Sequence, residues 1–187
     1  MKLYLLDCRN LDIEQFQKYL SKARRRRMQV FRYEPEKTEL GIDLLIQYVF
    51  GDNDYSYSNY DGHPVLTNHR YEISFSHSGN YALLGVSKYR FGVDIQKMTW
   101  YSPRVAKRFL SFATIKTKDD FFKAWTVLEA NGKRTGYGIL MDKKDIINTY
   151  STKIGDYYLA ATLDKNDALE EIIQLDIGDL LSSENFK

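Results

Sequence analysis

Cysteine is almost absent from this chain, and long apolar runs are missing altogether. Cys8 is the single cysteine among 187 residues, which excludes an intrachain disulfide and a cysteine-based zinc site. No window reaches the roughly 18 apolar residues that a membrane span needs. The first residues, "MKLYLLDCRNLDIEQF", contain no apolar stretch followed by a small-residue cleavage site. We therefore expect a cytoplasmic protein without a membrane partner.

Several common functional motifs are also missing. The sequence has no glycine-rich phosphate loop, no serine-hydrolase nucleophile elbow and no paired-histidine metal motif. These absences exclude the most frequent nucleotide-binding and hydrolase signatures. What remains is an ordinary globular composition, with 28% charged residues, 14% aromatic residues and a net charge of +2. A chain of this length can form one large domain or two small halves.

Positive charge is concentrated in one segment, "KARRRRMQVFR" at residues 22–32, which carries six basic side chains. Such a cluster either forms a solvated helix end or attracts phosphate groups or nucleic acid. A nucleic-acid site would combine Arg24 to Arg27 with the tyrosine-rich loop at 55–60. The nearly neutral charge of the whole chain argues against this, because nucleic-acid-binding domains are usually clearly basic. We expect no nucleic-acid partner.

Apolar periodicity in the first half predicts a strand, two helices and three further strands. A strand over residues 2–8 precedes a helix over 11–31, and a second helix is predicted from Pro35 onward. Residues 51–64 are rich in Gly, Asn, Asp and Ser and are predicted to form a mobile polar loop. The three strands that follow predict a hairpin meander: "RYEISFS" (70–76), "YALLGVS" (81–87) and "FGVDIQ" (91–96).

The second half repeats this order of elements. A helix over residues 119–133 precedes the predicted strands "IINTYSTKI", "YYLAATL" and "IIQLDI". "GNYALLGV" at 79–86 also resembles "GDYYLAAT" at 155–162. We therefore predict an α+β fold of two similar halves, 1–90 and 91–187, related by a pseudo-two-fold axis. Each half would be a small antiparallel sheet packed with helices, with a cleft between the halves, where ligand sites are common.

Asp94 and Gln96 are two apart on a predicted strand, so their side chains leave on the same face. A carboxylate and an amide oxygen are hard ligands of the kind that Mg²⁺ prefers. Alternatively, Asp94 accepts backbone N–H bonds at a strand end or meets an arginine. Both interpretations give a buried carboxylate the partners it needs.

Trp125, Glu129 and Lys133 are spaced at i, i+4 and i+8, which places them on one face of a helix. Glu129 could complete a metal site while the ammonium of Lys133 meets phosphate. The alternative is an exposed Glu–Lys pair that stabilises the helix by about 0.3 kcal/mol. His77, between Ser76 and Ser78 at the lip of a hairpin, is either a surface residue or part of a phosphate-contacting edge.

The order of these motifs resembles that of the 4′-phosphopantetheinyl transferases, in particular the larger, pseudo-dimeric type that serves surfactin-like synthetases. That family has G-K-P, S-H-S-G, G-[IV]-D-[IV]-E, K-R-F-[FL]-S and W-[ST]-x-K-E-[AS]-x-x-K in this order. The matching blocks here are "GHP" (62–64), "FSHSG" (75–79), "FGVDIQ" (91–96), "AKRFLS" (106–111) and "WTVLEANGK" (125–133).

The resemblance implies an enzyme of two α+β halves with coenzyme A and Mg²⁺ in the cleft between them. It would transfer the phosphopantetheine arm to a serine of an apo acyl or peptidyl carrier protein and release 3′,5′-ADP. Asp94, Gln96 and Glu129 match the metal ligands, and Lys133 matches a lysine near the reacting diphosphate. The remaining matches are contacts to coenzyme A: Arg24, Arg25, Lys37, Gly62, His63, Pro64, Ser76 and His77.

Four positions depart from the family pattern. Gln96 replaces a glutamate, Leu128 replaces the lysine before the catalytic glutamate, and His63 replaces the lysine of G-K-P. Thr114 stands where the family often has a glutamate suspected of acting as the base. The resemblance is therefore compatible with a working transferase and with a relative that binds coenzyme A or a carrier protein without transfer.

The carrier protein would be acidic, and the basic residues Lys107 and Arg108 are candidates for docking it. Because two similar halves in one chain already supply the cleft, we expect a monomer.

Overall fold

The structure, a computed structural model, describes residues 1–32, 36–140, 146 and 148–186. It is a mixed α+β protein with two sheets. The first sheet has six strands in the order β2-β3-β4-β5-β1-β9, and the second has three in the order β6-β8-β7. The strands are β1 (Lys2–Asp7), β2 (Tyr55–Tyr57), β3 (Pro64–Leu66), β4 (Glu72–Ser78), β5 (Tyr81–Ser87), β6 (Gly92–Lys97), β7 (Thr149–Ile154), β8 (Tyr157–Thr162) and β9 (Glu171–Leu175).

The described part of the chain has six α-helices: α1 (Ile13–Phe16), α2 (Lys22–Phe31), α3 (Lys37–Phe50), α4 (Pro103–Phe109), α5 (Lys118–Thr135) and α6 (Ile177–Ser182). α3 and α5 are the long ones, and each begins with a capping box, formed by Glu36 with Glu39 and by Thr117 with Asp120. Each also ends at a glycine with positive φ, Gly51 and Gly136. Within the described residues, no helix is long and apolar enough to cross a bilayer.

The two halves share a strand arrangement. In the first half, β5 lies between β1 and β4 and pairs with both in antiparallel fashion; in the second half, β8 lies between β6 and β7 in the same way. The hairpins β4–β5 and β7–β8 turn at Gly79 and Gly155, both with positive φ. The similarity between residues 79–86 and 155–162 therefore reflects equivalent strands after equivalent turns.

Several predictions about the elements were wrong. The helix over 11–31 is broken at Leu20 and Ser21, because Ser21 caps a new helix by accepting a hydrogen bond from the Arg24 N–H. Part of the polar loop forms β2 and β3 at the edge of the first sheet. The helix predicted from Pro35 onward is observed as α3, and Pro35 itself lies outside the described residues.

The predicted meander and the purely antiparallel sheets also need correction. β6 does not continue the β4–β5 hairpin but pairs with β8 and starts the second sheet. β9, predicted for the second half, pairs in parallel with β1 in the first sheet. Leu175 and Leu180, from β9 and α6, are buried in the core under that sheet. The burial of these leucines explains why the end of the chain returns to the first half.

Hydroxyl groups join the two sheets where β4 faces β6. The serines at alternate positions of β4 point to one face. Ser74 Oγ accepts a hydrogen bond from the Val93 N–H at 3.1 Å, and Ser78 Oγ accepts one from the Lys97 N–H at 2.9 Å. Between them, Ser76 Oγ donates to Asp94 Oδ1 at 2.6 Å. Asp94 therefore lies at the boundary between the two sheets.

Candidate functional site

A cavity of about 320 Å³ lies between the loop before β3, strand β4 and the C-terminal part of α5. It therefore has walls from both halves of the chain. Its lining consists of Tyr57, Asp61, Gly62, His63, Pro64, Ser74, Phe75, Glu129, Gly132, Lys133, Gly136 and Gly138. The structure thus brings together Gly62 to Pro64 with Glu129 and Lys133, five residues that the sequence analysis placed in one site.

Asp94 adjoins this cavity through Lys133. The Asp94 residue is 2% exposed, and its carboxylate is held by three side chains. Lys133 Nζ donates to Oδ1 at 2.8 Å, Ser76 Oγ donates to the same oxygen, and Gln96 Nε2 donates to Oδ2 at 3.1 Å. Among the described residues, the partners of the Asp94 carboxylate are therefore a lysine, a hydroxyl and an amide. The backbone N–H groups and the arginine of the alternative interpretation are not among them.

Glu129 and Lys133 lie one turn apart on α5. Of the two nearby carboxylates, Asp94 takes the Lys133 ammonium in an ion pair. Burial raises the pKa of Glu129, and the negative charge of Asp94 raises it further, while Lys133 opposes the shift. Two carboxylates that repel each other beside a cavity form a place where a cation is stabilised.

The loop that carries Gly62 to Pro64 is fixed at Asp61. Asp61 Oδ1 accepts the His63 N–H at 3.1 Å, and Oδ2 accepts from Arg90 Nη2 at 2.5 Å. The His63 N–H, the Ser58 hydroxyl and Arg90 together lower the pKa of Asp61 to about 2. Arg90 also donates to the Arg134 carbonyl in α5 at 3.0 Å, so one guanidinium ties the loop to the helix across the cavity wall.

A comparison of the sequence with models of known protein families gives no match, and a comparison with curated proteins gives none either. The site is therefore interpreted from its own residues.

The two predicted histidines have different surroundings. His63 is buried, its Nε2 lies 3.1 Å from Glu72 Oε2, and burial together with the charge of Arg90 lowers its pKa. His77 is partly exposed, and its Nδ1 lies 3.2 Å from Thr38 Oγ1. Loss of hydration and the charges of Arg24 and Lys133 lower the pKa of His77. The lowered pKa values favour the neutral form of both rings, which has one N–H donor, and in His63 the Nε2 atom already faces Glu72.

The predicted basic contacts from the first half are separated from the cavity lining. Arg24 is 3% exposed and pairs with Glu39 at 2.9 Å and Asp43 at 3.5 Å, so its guanidinium belongs to a buried ion network. Arg25 donates to the carbonyls of Leu20 and Gln17, and Lys37 donates to the Arg9 carbonyl. All three side chains already have protein partners, and Arg25 and Lys37 remain exposed.

Of the four residues that depart from the family pattern, Leu128 and Thr114 lie outside the cavity lining, whereas His63 lines it. Leu128 is fully buried in an apolar cluster with Phe121 and Phe122, on a different side of α5 from Glu129. Thr114 is exposed in the segment between α4 and α5. Gln96, in contrast, is part of the site through its hydrogen bond to Asp94.

The donor set can be tested against the Mg²⁺ that the resemblance implies. Among the described residues, no three His, Cys, Asp or Glu side chains form a group able to hold a metal ion. Asp94, Glu129 and the amide oxygen of Gln96 nevertheless offer three hard oxygen donors, and Mg²⁺ usually binds one or two carboxylates and keeps several waters. The charge of Asp94 also raises the pKa of Glu129, so the two carboxylates interact. The types of donor present therefore match those that Mg²⁺ prefers.

Sequence reasoning missed several residues that build the site. Tyr57 and Phe75 line the cavity, and Arg90 holds its loop. Asp61 could have been found, because an aspartate directly before a glycine commonly accepts a hydrogen bond from a turn N–H. Arg90 has no local signal, since its partners Asp61 and Arg134 are 29 and 44 residues away in the sequence.

Proposed function

We propose that this chain is a Mg²⁺-dependent 4′-phosphopantetheinyl transferase that acts on an apo acyl or peptidyl carrier protein. It has the pseudo-dimeric fold of that family, with coenzyme A bound between the halves. One observation carries the proposal: Asp94 and Glu129, from a strand and a facing helix, lie beside Lys133 at a cavity that also contains the Gly62–Pro64 loop. These residues come from distant parts of the chain and match the family motifs in order.

The reaction requires positioning and charge neutralisation more than covalent chemistry by the protein. The serine Oγ of the carrier forms a bond to the phosphorus that bears the pantetheine arm, and the diphosphate P–O bond to the leaving group breaks. The leaving group departs as 3′,5′-ADP, and the serine proton passes to a base or to solvent. Negative charge grows on the bridging oxygen that departs.

Each residue then has a defined task. Asp94, Glu129 and Gln96 would hold Mg²⁺, which supplies Lewis-acid stabilisation of the diphosphate when bound. Lys133 lines the cavity and can place its ammonium against a phosphate oxygen. Gly62, His63 and Pro64 would form the wall beside the coenzyme, and His77, which is hydrogen-bonded to Thr38, would contact a phosphate of the coenzyme. Ser76 orients Asp94 through its short hydrogen bond.

A second function is favoured by one observation. The Asp94 carboxylate is already paired with Lys133 and bonded to Ser76 and Gln96, which is a satisfied arrangement without a metal. A protein that binds coenzyme A or a carrier protein without transferring the arm would also be compatible with this geometry.

Incubation of the full chain with coenzyme A, Mg²⁺ and several apo carrier proteins separates the two functions. Intact-mass analysis of the carrier should show the addition of one phosphopantetheine group. Asp94→Ala should abolish the addition, whereas Lys165→Ala, an exposed lysine in the turn after β8, should leave it unchanged. Carriers that keep their mass while coenzyme A still binds the protein would support the second function, and full activity of Asp94→Ala would overturn the assignment of the site.

A further inference from the structure

We infer that Lys133 couples the two ligands of the site, so that a divalent cation binds tightly at Asp94 only when a phosphate-bearing ligand occupies the neighbouring cavity. This inference rests on the proposed function, which supplies the cation and the diphosphate ester. It adds one step to that function: the Lys133 ammonium occupies the position of the cation at Asp94 until the phosphate-bearing ligand binds and takes the ammonium as its own partner.

The contacts of Lys133 carry the inference. Its Nζ lies 2.8 Å from Asp94 Oδ1 and 3.3 Å from the Phe75 carbonyl oxygen. The Lys133 side chain is 33% exposed, whereas that of Asp94 is 3% exposed, so the lysine covers the carboxylate from the cavity side. The ammonium is therefore the group that an incoming cation meets first at this oxygen.

A divalent cation and the ammonium cannot both contact Asp94 Oδ1 without strong repulsion in a partly desolvated site. Ser76 already donates to the same oxygen and holds the carboxylate in place. Binding of the cation to Glu129 and to Oδ1 of Asp94 therefore requires that Lys133 leave this oxygen. Without a phosphate-bearing ligand, the displaced Lys133 ammonium loses its ion-pair partner Asp94 and gains no other anion. This loss weakens binding of the cation.

The cavity provides the second position for the ammonium. Lys133 itself lines the cavity, together with Gly62 and Pro64 from the opposite wall. A diphosphate in this space offers oxygens that can replace Asp94 as partners of the lysine. The anion then favours the outward position of Lys133 and frees the carboxylate for the cation. By linkage, the cation must tighten binding of the anion by the same factor.

The test measures cation affinity without any transfer reaction. Mn²⁺, used as a probe for Mg²⁺, is titrated into the full chain by electron paramagnetic resonance of the free ion, first without and then with saturating coenzyme A. In the unmodified protein, coenzyme A should raise the Mn²⁺ affinity at least tenfold. Lys133→Met should bind Mn²⁺ at least tenfold more tightly than the unmodified protein without coenzyme A, and it should gain much less when coenzyme A is added.

Three controls sharpen the comparison. Lys133→Arg keeps the positive charge and should keep the weak Mn²⁺ binding, and Lys123→Met removes an exposed lysine of the same helix and should change nothing. Lys133→Gln, which retains a hydrogen-bond donor for Asp94, replaces the methionine variant if that variant does not fold. Mn²⁺ is also titrated into coenzyme A alone to subtract complexes formed in solution.

Equal or weaker Mn²⁺ binding by Lys133→Met and Lys133→Gln, or an undiminished effect of coenzyme A on them, would overturn the inference. This outcome is distinguishable from failure of the proposed function, because transfer to a carrier is measured separately. A protein that transfers the arm but shows unaltered Mn²⁺ affinity in both variants would keep its proposed function without this coupling.

Discussion

At the scale of single residues, Asp94 can be buried because three side chains donate hydrogen bonds to its carboxylate and offset the loss of hydration. Ser76 shows how a role expected from resemblance changes with the geometry: its hydroxyl was expected at a phosphate of coenzyme A, and it donates to Asp94 at 2.6 Å. Successive side chains of β4 point to opposite faces of the sheet, and Ser76 lies on the face that meets β6. Its hydroxyl can therefore orient the Asp94 carboxylate. The carboxylate is therefore held in one orientation, as the metal site that we propose would need.

Asp61 allows a test of the loop by pH. Its pKa is lowered from 3.8 to about 2, so its ionised form stabilises the fold above pH 3.8, and this contribution is lost as the pH falls towards 2. Asp61→Asn should lower the free energy of unfolding at pH 7 by about 1 kcal/mol, since solvent screens part of the interaction. Urea unfolding should show this difference shrinking between pH 4 and pH 3. A difference that is independent of pH would contradict the assignment.

At the scale of elements, the site depends on how closely α5 approaches β6. Gly92 begins β6, and a Cβ atom there would lie 2.0 Å from the Ala130 carbonyl oxygen and 2.6 Å from the Arg134 nitrogen. Both contacts are to backbone atoms of α5, which cannot turn aside as a side chain can. Because glycine has no Cβ atom, α5 can lie close to β6. This close packing sets the distance from Asp94 on the strand to Glu129 and Lys133 on the helix.

Gly92→Ala should push α5 away from β6. We expect the free energy of unfolding to fall by about 1–3 kcal/mol. The proposed binding of Mn²⁺ and coenzyme A should also be largely lost in the fraction that folds. Gly178→Ala in α6 is the matched control, because its added carbon would meet only the Asp176 side chain. Unfolding by urea and ligand titration measure the two effects. Unchanged stability and binding in Gly92→Ala would show that the close contact is not needed.

At the scale of the whole molecule, contacts between the regions of the two sheets are distributed along their boundary. The rings of Tyr81 and Tyr157, which occupy equivalent places after the two hairpin turns, meet edge to face with centroids 4.9 Å apart. Tyr157 also accepts a hydrogen bond from the Asn80 N–H at 3.2 Å. β9 and α6 then return the chain to the first sheet. Such connections predict cooperative unfolding.

Arg24 and the tryptophans provide the test of cooperativity. Arg24→Met would leave Asp43, which is fully buried in the first half, without its cationic partner, and should cost about 3–5 kcal/mol. Both tryptophans, Trp100 and Trp125, lie in the second half. Their fluorescence should therefore report the same lowered urea midpoint as circular dichroism of the whole chain. Arg26→Met, on the exposed side of α2, is the control. A fluorescence midpoint that does not move would show that the halves unfold separately.

The docking of the carrier protein that we propose as the acceptor also belongs to this scale. Lys107 and Arg108 are exposed on α4, and Trp100, 81% exposed, follows the strand that carries Asp94. Reversal of both charges to glutamate should raise the KM for an acidic carrier about tenfold, about 1.4 kcal/mol, with little change in kcat. Lys165→Glu is a control with the same type of charge change at another exposed position. An unchanged KM in the double variant would exclude this docking surface.

The sequence by itself determined the long elements. Apolar spacing predicted α3 and α5, and the matched turns at Gly79 and Gly155 predicted equivalent hairpins, because these signals are local. The motif order grouped Asp94, Glu129, Lys133 and the Gly62–Pro64 loop as candidate site residues, and the loop, Glu129 and Lys133 line one cavity.

Only the tertiary structure decided the partners of these residues. No local sequence signal indicates that Ser76 and Lys133 both donate to one oxygen of Asp94. The same holds for the ion pair between Arg24 and Asp43 and for the pairing of β9 with β1. Each of these contacts joins residues 18 or more positions apart, and long-range pairing depends on how the elements pack. Local propensity can fix where a side chain leaves the backbone, while the atoms it meets are set by the fold as a whole.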